Sequence, residues 1–153
     1  WDADSIVVHH VIGERDFNDE RFKASSPTDR VDYRPVEYEN NMPEVMAAAD
    51  LVICRAGATT VAEISIVGVP SILIPLPNAP GDHQTANARA LYAYGGAVHL
   101  RNDELDGNRL KNEVMKILSD EKGLEDMAMA AKQRGRPRAA SDIANLVEVY
   151  ARD

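Results

Sequence analysis

Apolar residues in this chain gather into short unbroken runs, separated by mixed stretches with helical spacing. SIVVHHV (5–11) is β-branched and closed by Gly13, the pattern of a buried strand. RVDYRPV (30–36), DLVIC (50–54), SILIPL (71–76) and AVHL (97–100) read as four further strands. Between them, DFNDERFKA (16–24) suits a short surface helix, and MPEVMAAA (42–49) a helix that Asn41 can cap, with proline tolerated in its first turn. ATTVAEISIVG (58–68) is a helix closed by Gly68 and Pro70, and DHQTANARALYAYGG (82–96) one ended by glycines. Residues 104–151 read as helical, with a break at Gly135 and Pro137.

Continuous apolar strands belong to a sheet covered on both faces, and their alternation with helices implies βαβ units with parallel strands. The predicted fold is α/β, a Rossmann-like doubly wound parallel sheet forming one domain over 1–153. Ligands of such sheets bind beyond the carboxyl ends of the strands, near helix N-termini. That places 55–60 and 77–85 on the functional edge, because each follows a strand directly.

Composition narrows the field. A chain of 153 residues can bury a real core, and with aromatics at 5% that core should be aliphatic. A net charge of −8 argues against nonspecific binding to nucleic acid or an anionic membrane. It leaves room for an anion held locally by backbone amides. Cys54 is the one cysteine, so an intrachain disulfide is excluded, which fits a reducing compartment. No apolar run approaches the ~20 residues that span a bilayer, and no signal-peptide pattern opens the chain. The start at Trp1-Asp2, without methionine, reads as a segment of something longer.

The stretch RAGATTVAE (55–63) carries candidate chemistry. Gly57 permits a tight turn and close backbone approach, and the amides of Ala58, Thr59 and Thr60 then open a helix suited to an anion. The hydroxyls of Thr59 and Thr60 can add bonds to phosphate oxygens. Glu63 falls one turn deeper on the same face, where a carboxylate can accept both hydroxyls of a ribose. The same residues also fit a capping box, T-x-x-E, and physical reasoning alone leaves the two readings balanced. Neither G-x-G-x-x-G nor a Walker lysine is present. In PLPNAPGDHQTANARAL (75–91), Asp82 can cap a helix whose first-turn His83 and Gln84 can bond sugar hydroxyls. His9, His10 and His99 lie on strands and read as structural, Cys54 as a small buried residue, and Arg134, Arg136 and Arg138 as a solvated hinge.

Residues 49–91 strongly resemble the C-terminal half of the MurG family, through Arg55, Gly57, Ala58, Thr60 and Glu63, then Gly68 and Pro70, then Asp82, His83, Gln84, Asn87 and Ala88. A looser likeness extends from VVHHVIGERDF (7–17) to the C-terminal helices. The resemblance implies the C-terminal half of a GT-B fold and an inverting transfer of N-acetylglucosamine from UDP-GlcNAc to the 4-hydroxyl of lipid I, giving lipid II for peptidoglycan. On that basis Glu63 would hold the ribose, and Arg55, Gly57, Ala58, Thr59 and Thr60 would line the diphosphate and sugar. His83 and Gln84 would face the GlcNAc hydroxyls. The Tyr38-Glu39 loop would cover the uracil through its backbone. Position 56 is alanine where many members carry serine, so any hydroxyl contact there is lost.

The family's first glycine-rich loop and its acceptor-binding domain would lie upstream of Trp1, so no catalytic base, metal or resident cofactor is expected in this segment. Alone it should not catalyse transfer. UDP-GlcNAc is the expected small-molecule partner. Contact with the cytoplasmic face of the bacterial plasma membrane is expected through the acceptor domain. A related GT-B transferase with another glycolipid acceptor, a non-catalytic nucleotide-sugar module and, more weakly, a UDP-GlcNAc epimerase remain the alternatives.

Overall fold

The computed structural model describes residues 6–23 and 31–151. The chain divides into two compact units, Trp1–Met42 and Pro43–Asp153.

In the first unit, β1 (Ile6–Val11) pairs in parallel with β2 (Val31–Val36), Val8 opposite Tyr33 and Val11 opposite Val36. The ladder runs past the strand ends, with Ile12 N donating to Val36 O at 2.9 Å and Gly13 N to Glu37 O at 3.0 Å. β2 has β1 as its one strand neighbour among the described residues, and a strand with a free edge tolerates Pro35. β1 is not the buried strand expected, since half-buried and exposed residues alternate along it and Val7 is 57% exposed. Its sequence is apolar on both faces, yet only one face has found cover. The helix expected over 16–24 is reduced to one turn, α1 (Glu20–Lys23). Residues 14–18 form a turn instead, anchored where Asp16 N and Phe17 N both donate to Gly13 O. Ser5, Ala24 and Arg30, the outer ends of the expected elements, lie outside the described residues.

The second unit begins within α2 (Met42–Ala48) and builds a three-stranded parallel sheet in sequence order. β3 (Val52–Cys54), β4 (Ser71–Leu73) and β5 (Val98–His99) are shorter than their apolar runs. Cys54, Leu73 and His99 share one rung, and all three strands end there. Ile74 N to Cys54 O and Leu100 N to Leu73 O add one further bond on each side before the chains diverge.

Every residue of β4 is buried. Ile72, Ile74 and Leu100 pack with Val114 and Ile117 of α5 (Gly107–Leu118), and Leu110, Leu118 and Leu124 close around them. The core is aliphatic, as the aromatic content required, and each such side chain contributes about 1.5–3 kcal/mol on burial. Ser71 is the exception, fully buried with a hydroxyl that has no hydrogen-bond partner among the described residues.

α3 (Ala58–Val67) packs against α4 (His83–Tyr92) and α6 (Glu121–Gln133), and α5 against α6. The turn from α4 to β5 lies so close on α6 that a Cβ at Gly96 would stand 2.7 Å from Leu91 Cδ1 and 2.9 Å from Ala131 Cα. The break predicted at Gly135 and Pro137 separates α6 from α7 (Ala139–Tyr150). That break is not simply solvated, because Arg134 lies over the Tyr94 ring at 4.0 Å. Among the described residues no helix is long and apolar enough to cross a membrane.

Candidate functional site

α3 opens three residues beyond the shared rung, and it opens bare. Its N-cap is Gly57, with φ −62° and ψ 147°, and no side chain caps it. The first helical bond is Val61 N to Gly57 O at 2.9 Å, which leaves the amides of Ala58, Thr59 and Thr60 without an intrahelical acceptor. α5 and α6 differ, each capped by an aspartate, with Arg109 N donating to Asp106 at 2.7 Å and Gly123 N to Asp120 at 2.9 Å. The capping box weighed for T-x-x-E would need Thr60 as N-cap. The helix starts earlier, so Thr60 sits inside its first turn and no box forms.

Thr59 and Glu63 are exposed and Thr60 half-buried, and none of the three side chains has a polar partner among the described residues. Glu63 shares their face of the helix. Three amides, two hydroxyls and a carboxylate one turn deeper are thus all available to a ligand. The reading of Gly57 needs correction. Its φ is one that any residue adopts, and a Cβ there would find only Thr60 Oγ1, at 3.8 Å. What glycine supplies is open space above the amides, not an unusual backbone.

The second loop turns tightly. Asn78, Gly81 and Asp82 all have positive φ, at 61°, 61° and 53°. Left-handed Asp82 makes no capping bond to α4, contrary to the N-cap reading. His83 Nδ1 lies 2.5 Å from Pro80 O. A carbonyl only accepts, so Nδ1 carries the proton, and in the uncharged form of the ring Nε2 is the acceptor. Gln84 Oε1 accepts from Leu76 N at 3.0 Å, which leaves its NH2 as a donor. Neighbouring residues therefore offer one acceptor and one donor, the complement of a sugar hydroxyl, which both donates and accepts.

Two side chains brace these loops. Asn87 Nδ2 donates to Ala56 O at 3.0 Å, tying α4 to the segment that leads into α3. Asn87 was visible in the D-H-Q-x-x-N pattern but had no assigned role; its position four residues after His83 is the signal that could have supplied one. Arg55, also expected on the ligand, donates through Nη1 to Ile74 O at 3.2 Å, Pro75 O at 3.1 Å and Asn102 Oδ1 at 2.8 Å, and so joins the loops after all three strands. Ala56 is fully buried, so a hydroxyl at 56 would point into the protein rather than toward a ligand.

In the first unit, Tyr38 is 72% exposed. Glu39 turns inward, with Oε2 3.1 Å from His9 Nε2 and Oε1 accepting from Asn41 N at 2.7 Å. Its side chain is thereby occupied within the first unit. Asn41 acts through that amide and not as the side-chain cap expected of it. His9 is exposed rather than buried. His10 pairs with Tyr33 Oη at 2.7 Å and packs edge-on to Phe22, and burial lowers its pKa.

Sequence reasoning missed a cleft of about 410 Å³ on the flank of α4, lined by Leu76, Thr85, Arg89, His99 and Arg101 among others. His99 has its pKa lowered by burial first, and then by Arg89 and Arg101. Cys54 is half-buried rather than buried, and burial pushes its thiol up to about 11, far from a thiolate at neutral pH.

Residues 2–143 match the family described as the glycosyltransferase family 28 C-terminal domain. The UDP-N-acetylglucosamine--N-acetylmuramyl-(pentapeptide) pyrophosphoryl-undecaprenol N-acetylglucosamine transferase of Alkalilimnicola ehrlichii is 44% identical over 95% of this chain, which covers 40% of that relative. Its namesake from Halothermothrix orenii is 40% identical over 96% of this chain, covering 41% of the relative. The chain thus spans about two fifths of the length of these curated relatives. The crystal structure of Acinetobacter baumannii MurG superposes with a TM-score of 0.84 and 29% identity, over 94% of this chain and 41% of that one. Spinosyn forosaminyltransferase SpnP, at 0.69 and 15% identity over 97% of this chain and 35% of its own, shares the fold.

Proposed function

The chain belongs to the glycosyltransferase family 28 C-terminal domain family, and on that premise we propose that it binds UDP-N-acetylglucosamine as the donor half of an inverting glycosyltransferase. The observation that carries this reading is the uncapped N-terminus of α3, with Thr59, Thr60 and Glu63 on one face and without a polar partner among the described residues. The amides of Ala58, Thr59 and Thr60 take the diphosphate, and Glu63 accepts both ribose hydroxyls. His83 Nε2 and the Gln84 NH2 read the sugar hydroxyls.

The whole protein would transfer N-acetylglucosamine as its relatives are named for doing, onto the 4-hydroxyl of the muramyl sugar of lipid I, on the cytoplasmic face of the bacterial plasma membrane. The acceptor oxygen attacks the anomeric carbon opposite the diphosphate. The bond from that carbon to the β-phosphate oxygen breaks, and its electron pair leaves with UDP. The hydroxyl proton goes to a base outside these 153 residues. This half lowers the barrier through helix-terminal amides already aimed where the leaving charge develops.

Calorimetry with UDP-GlcNAc, UDP-glucose and UMP, on the unaltered protein and on Glu63→Ala, tests the reading. The expected result is binding of all three, weakened about tenfold or more in the variant, a loss of ~1.4 kcal/mol. Equal affinity in both proteins overturns the ribose assignment, and failure of any uridine nucleotide to bind overturns the donor reading. The 153-residue chain alone should show no turnover with UDP-GlcNAc and lipid I.

A further inference from the structure

Gln84 could turn either end of its carboxamide outward, and the choice decides what a ligand meets. Its Oε1 accepts from Leu76 N at 3.0 Å. A backbone N–H bonds only an acceptor, so the oxygen faces the loop and the NH2 is turned away from it. The nitrogen of Leu76 and the carbonyl of Pro75 belong to one peptide group. That carbonyl accepts from Arg55 Nη1 at 3.1 Å, and Nη1 also donates to Ile74 O at 3.2 Å. The peptide is trans, so its oxygen and its hydrogen leave from opposite edges of one plane. Arg55 and Gln84 thus hold a single rigid peptide from its two sides.

This arrangement is anchored in the sheet. Cys54, the residue before Arg55, accepts from Ile74 N at 2.9 Å, and Asn102 Oδ1 accepts a third bond from Nη1 at 2.8 Å. Residues 54 and 55 therefore fix 74 and 75, and the segment after β5 fixes the guanidinium. A cationic donor on the Pro75 carbonyl polarises the peptide and strengthens its N–H as a donor. The bond that orients Gln84 is reinforced by a charge on the far side of the peptide. Every group in this chain of contacts lies in the second unit. We propose that Arg55 is a positioning residue for sugar recognition, acting through the Pro75–Leu76 peptide to keep the Gln84 NH2 turned outward. The proposal rests on the donor-binding reading, and nothing in it requires Arg55 to touch the ligand.

The test uses the full-length protein with Arg55→Met, Gln84→Ala, the two combined, and Asn102→Ala. Arg55→Met and Gln84→Ala should each bind UDP-GlcNAc about tenfold more weakly, equivalent to ~1.4 kcal/mol, while UDP, which lacks the sugar, binds unchanged. The combined variant should be no weaker than either alone, because both remove the same contact. Asn102→Ala removes the shortest of the three Arg55 bonds and is the milder variant should Arg55→Met not fold. It should lose about threefold in UDP-GlcNAc affinity and nothing in UDP affinity. Without ligand, the Leu76 amide should exchange faster with solvent deuterium in all four variants.

Loss of UDP and UDP-GlcNAc affinity by the same factor overturns the positioning role, since Arg55 would then act on the phosphates or on the fold as a whole. Losses that add in the combined variant overturn the route through Gln84. Unchanged Leu76 exchange in Arg55→Met, or in Asn102→Ala where that variant stands in for it, overturns the relay whatever the ligand does. Gln84→Ala that binds UDP-GlcNAc like the unaltered protein overturns the sugar reading of Gln84, and the positioning role with it. UDP binding retained in that case shows that the donor reading itself stands.

Discussion

Asn87 donates its side-chain amide to the carbonyl of Ala56 at 3.0 Å, and this single bond links the helix carrying His83 and Gln84 to the segment that opens α3. A partly buried hydrogen bond of this kind is worth about 0.5–1.5 kcal/mol, and more where a carbonyl is left without a partner. Asn87→Ala should lower unfolding free energy in urea by about 1–2 kcal/mol and weaken UDP-GlcNAc binding, although Asn87 is assigned no contact with the ligand. Asn87→Asp should be worse, since it sets a carboxylate against a carbonyl oxygen. Retained stability and affinity in both variants would remove the brace.

Ser71 gives the opposite expectation. Its hydroxyl is buried in the central strand with no partner among the described residues, so it has lost water with no bond there to offset the loss. Ser71→Ala should leave stability unchanged or raise it by up to about 1 kcal/mol, read as a higher midpoint in urea. A clear loss of stability would show that the hydroxyl has a partner after all.

At Gly96 the packing sets the cost. A methyl group there would meet Leu91 Cδ1 at 2.7 Å and backbone atoms of Ala131 at 2.9 Å. The leucine can yield and the backbone of α6 cannot. Gly96→Ala should destabilise by about 1–3 kcal/mol, the range for an overpacked core, and thermal unfolding measures it.

His99 should make the second unit acid-sensitive. Its folded pKa is lowered, by burial first and then by Arg89 and Arg101, against weaker opposing effects of Glu104 and Asp82. The unfolded chain therefore takes up the proton first, near the ordinary 6.5. Above that pH the residue contributes no slope, and as pH falls below it unfolding is favoured. The imidazole signal should titrate with a midpoint below 6.5, Arg89→Ala should raise that midpoint, and His99→Gln should flatten the fall in stability below pH 6.5. A midpoint above 6.5 would contradict the burial seen here.

The alternating βα order, the parallel strands and the break before α7 were legible because apolar runs and Gly-Pro pairs record them directly. Strand lengths were not. SILIPL reads as six strand residues, but the strand ends at Leu73, with one last bond from Ile74 N; Ile74 and Pro75 stay buried while Leu76, 45% exposed, already belongs to the loop. Among the candidate site residues, the hydroxyls, His83 and Gln84 stand out in the chain because their types announce hydrogen bonding. Which side chains are already engaged in holding a loop could not be read there. Arg55 and Glu39 differ from Glu63 only in what lies across from them in space: three backbone and amide oxygens for Arg55, a histidine from another strand for Glu39, and nothing among the described residues for Glu63.

The common rung at Cys54, Leu73 and His99 also bears on how this domain can change over time. Upstream of it, one inserted or deleted residue in β4 would slip the register and exchange the two buried faces of the strand. Past Ile74 and Leu100, which still bond to the ladder and pack in the core, the same event only alters the reach of a loop. Length variation among descendants of this chain should therefore collect beyond those two residues rather than at the rung itself. New binding preferences would arise there by lengthening a loop, with no compensating change in the core.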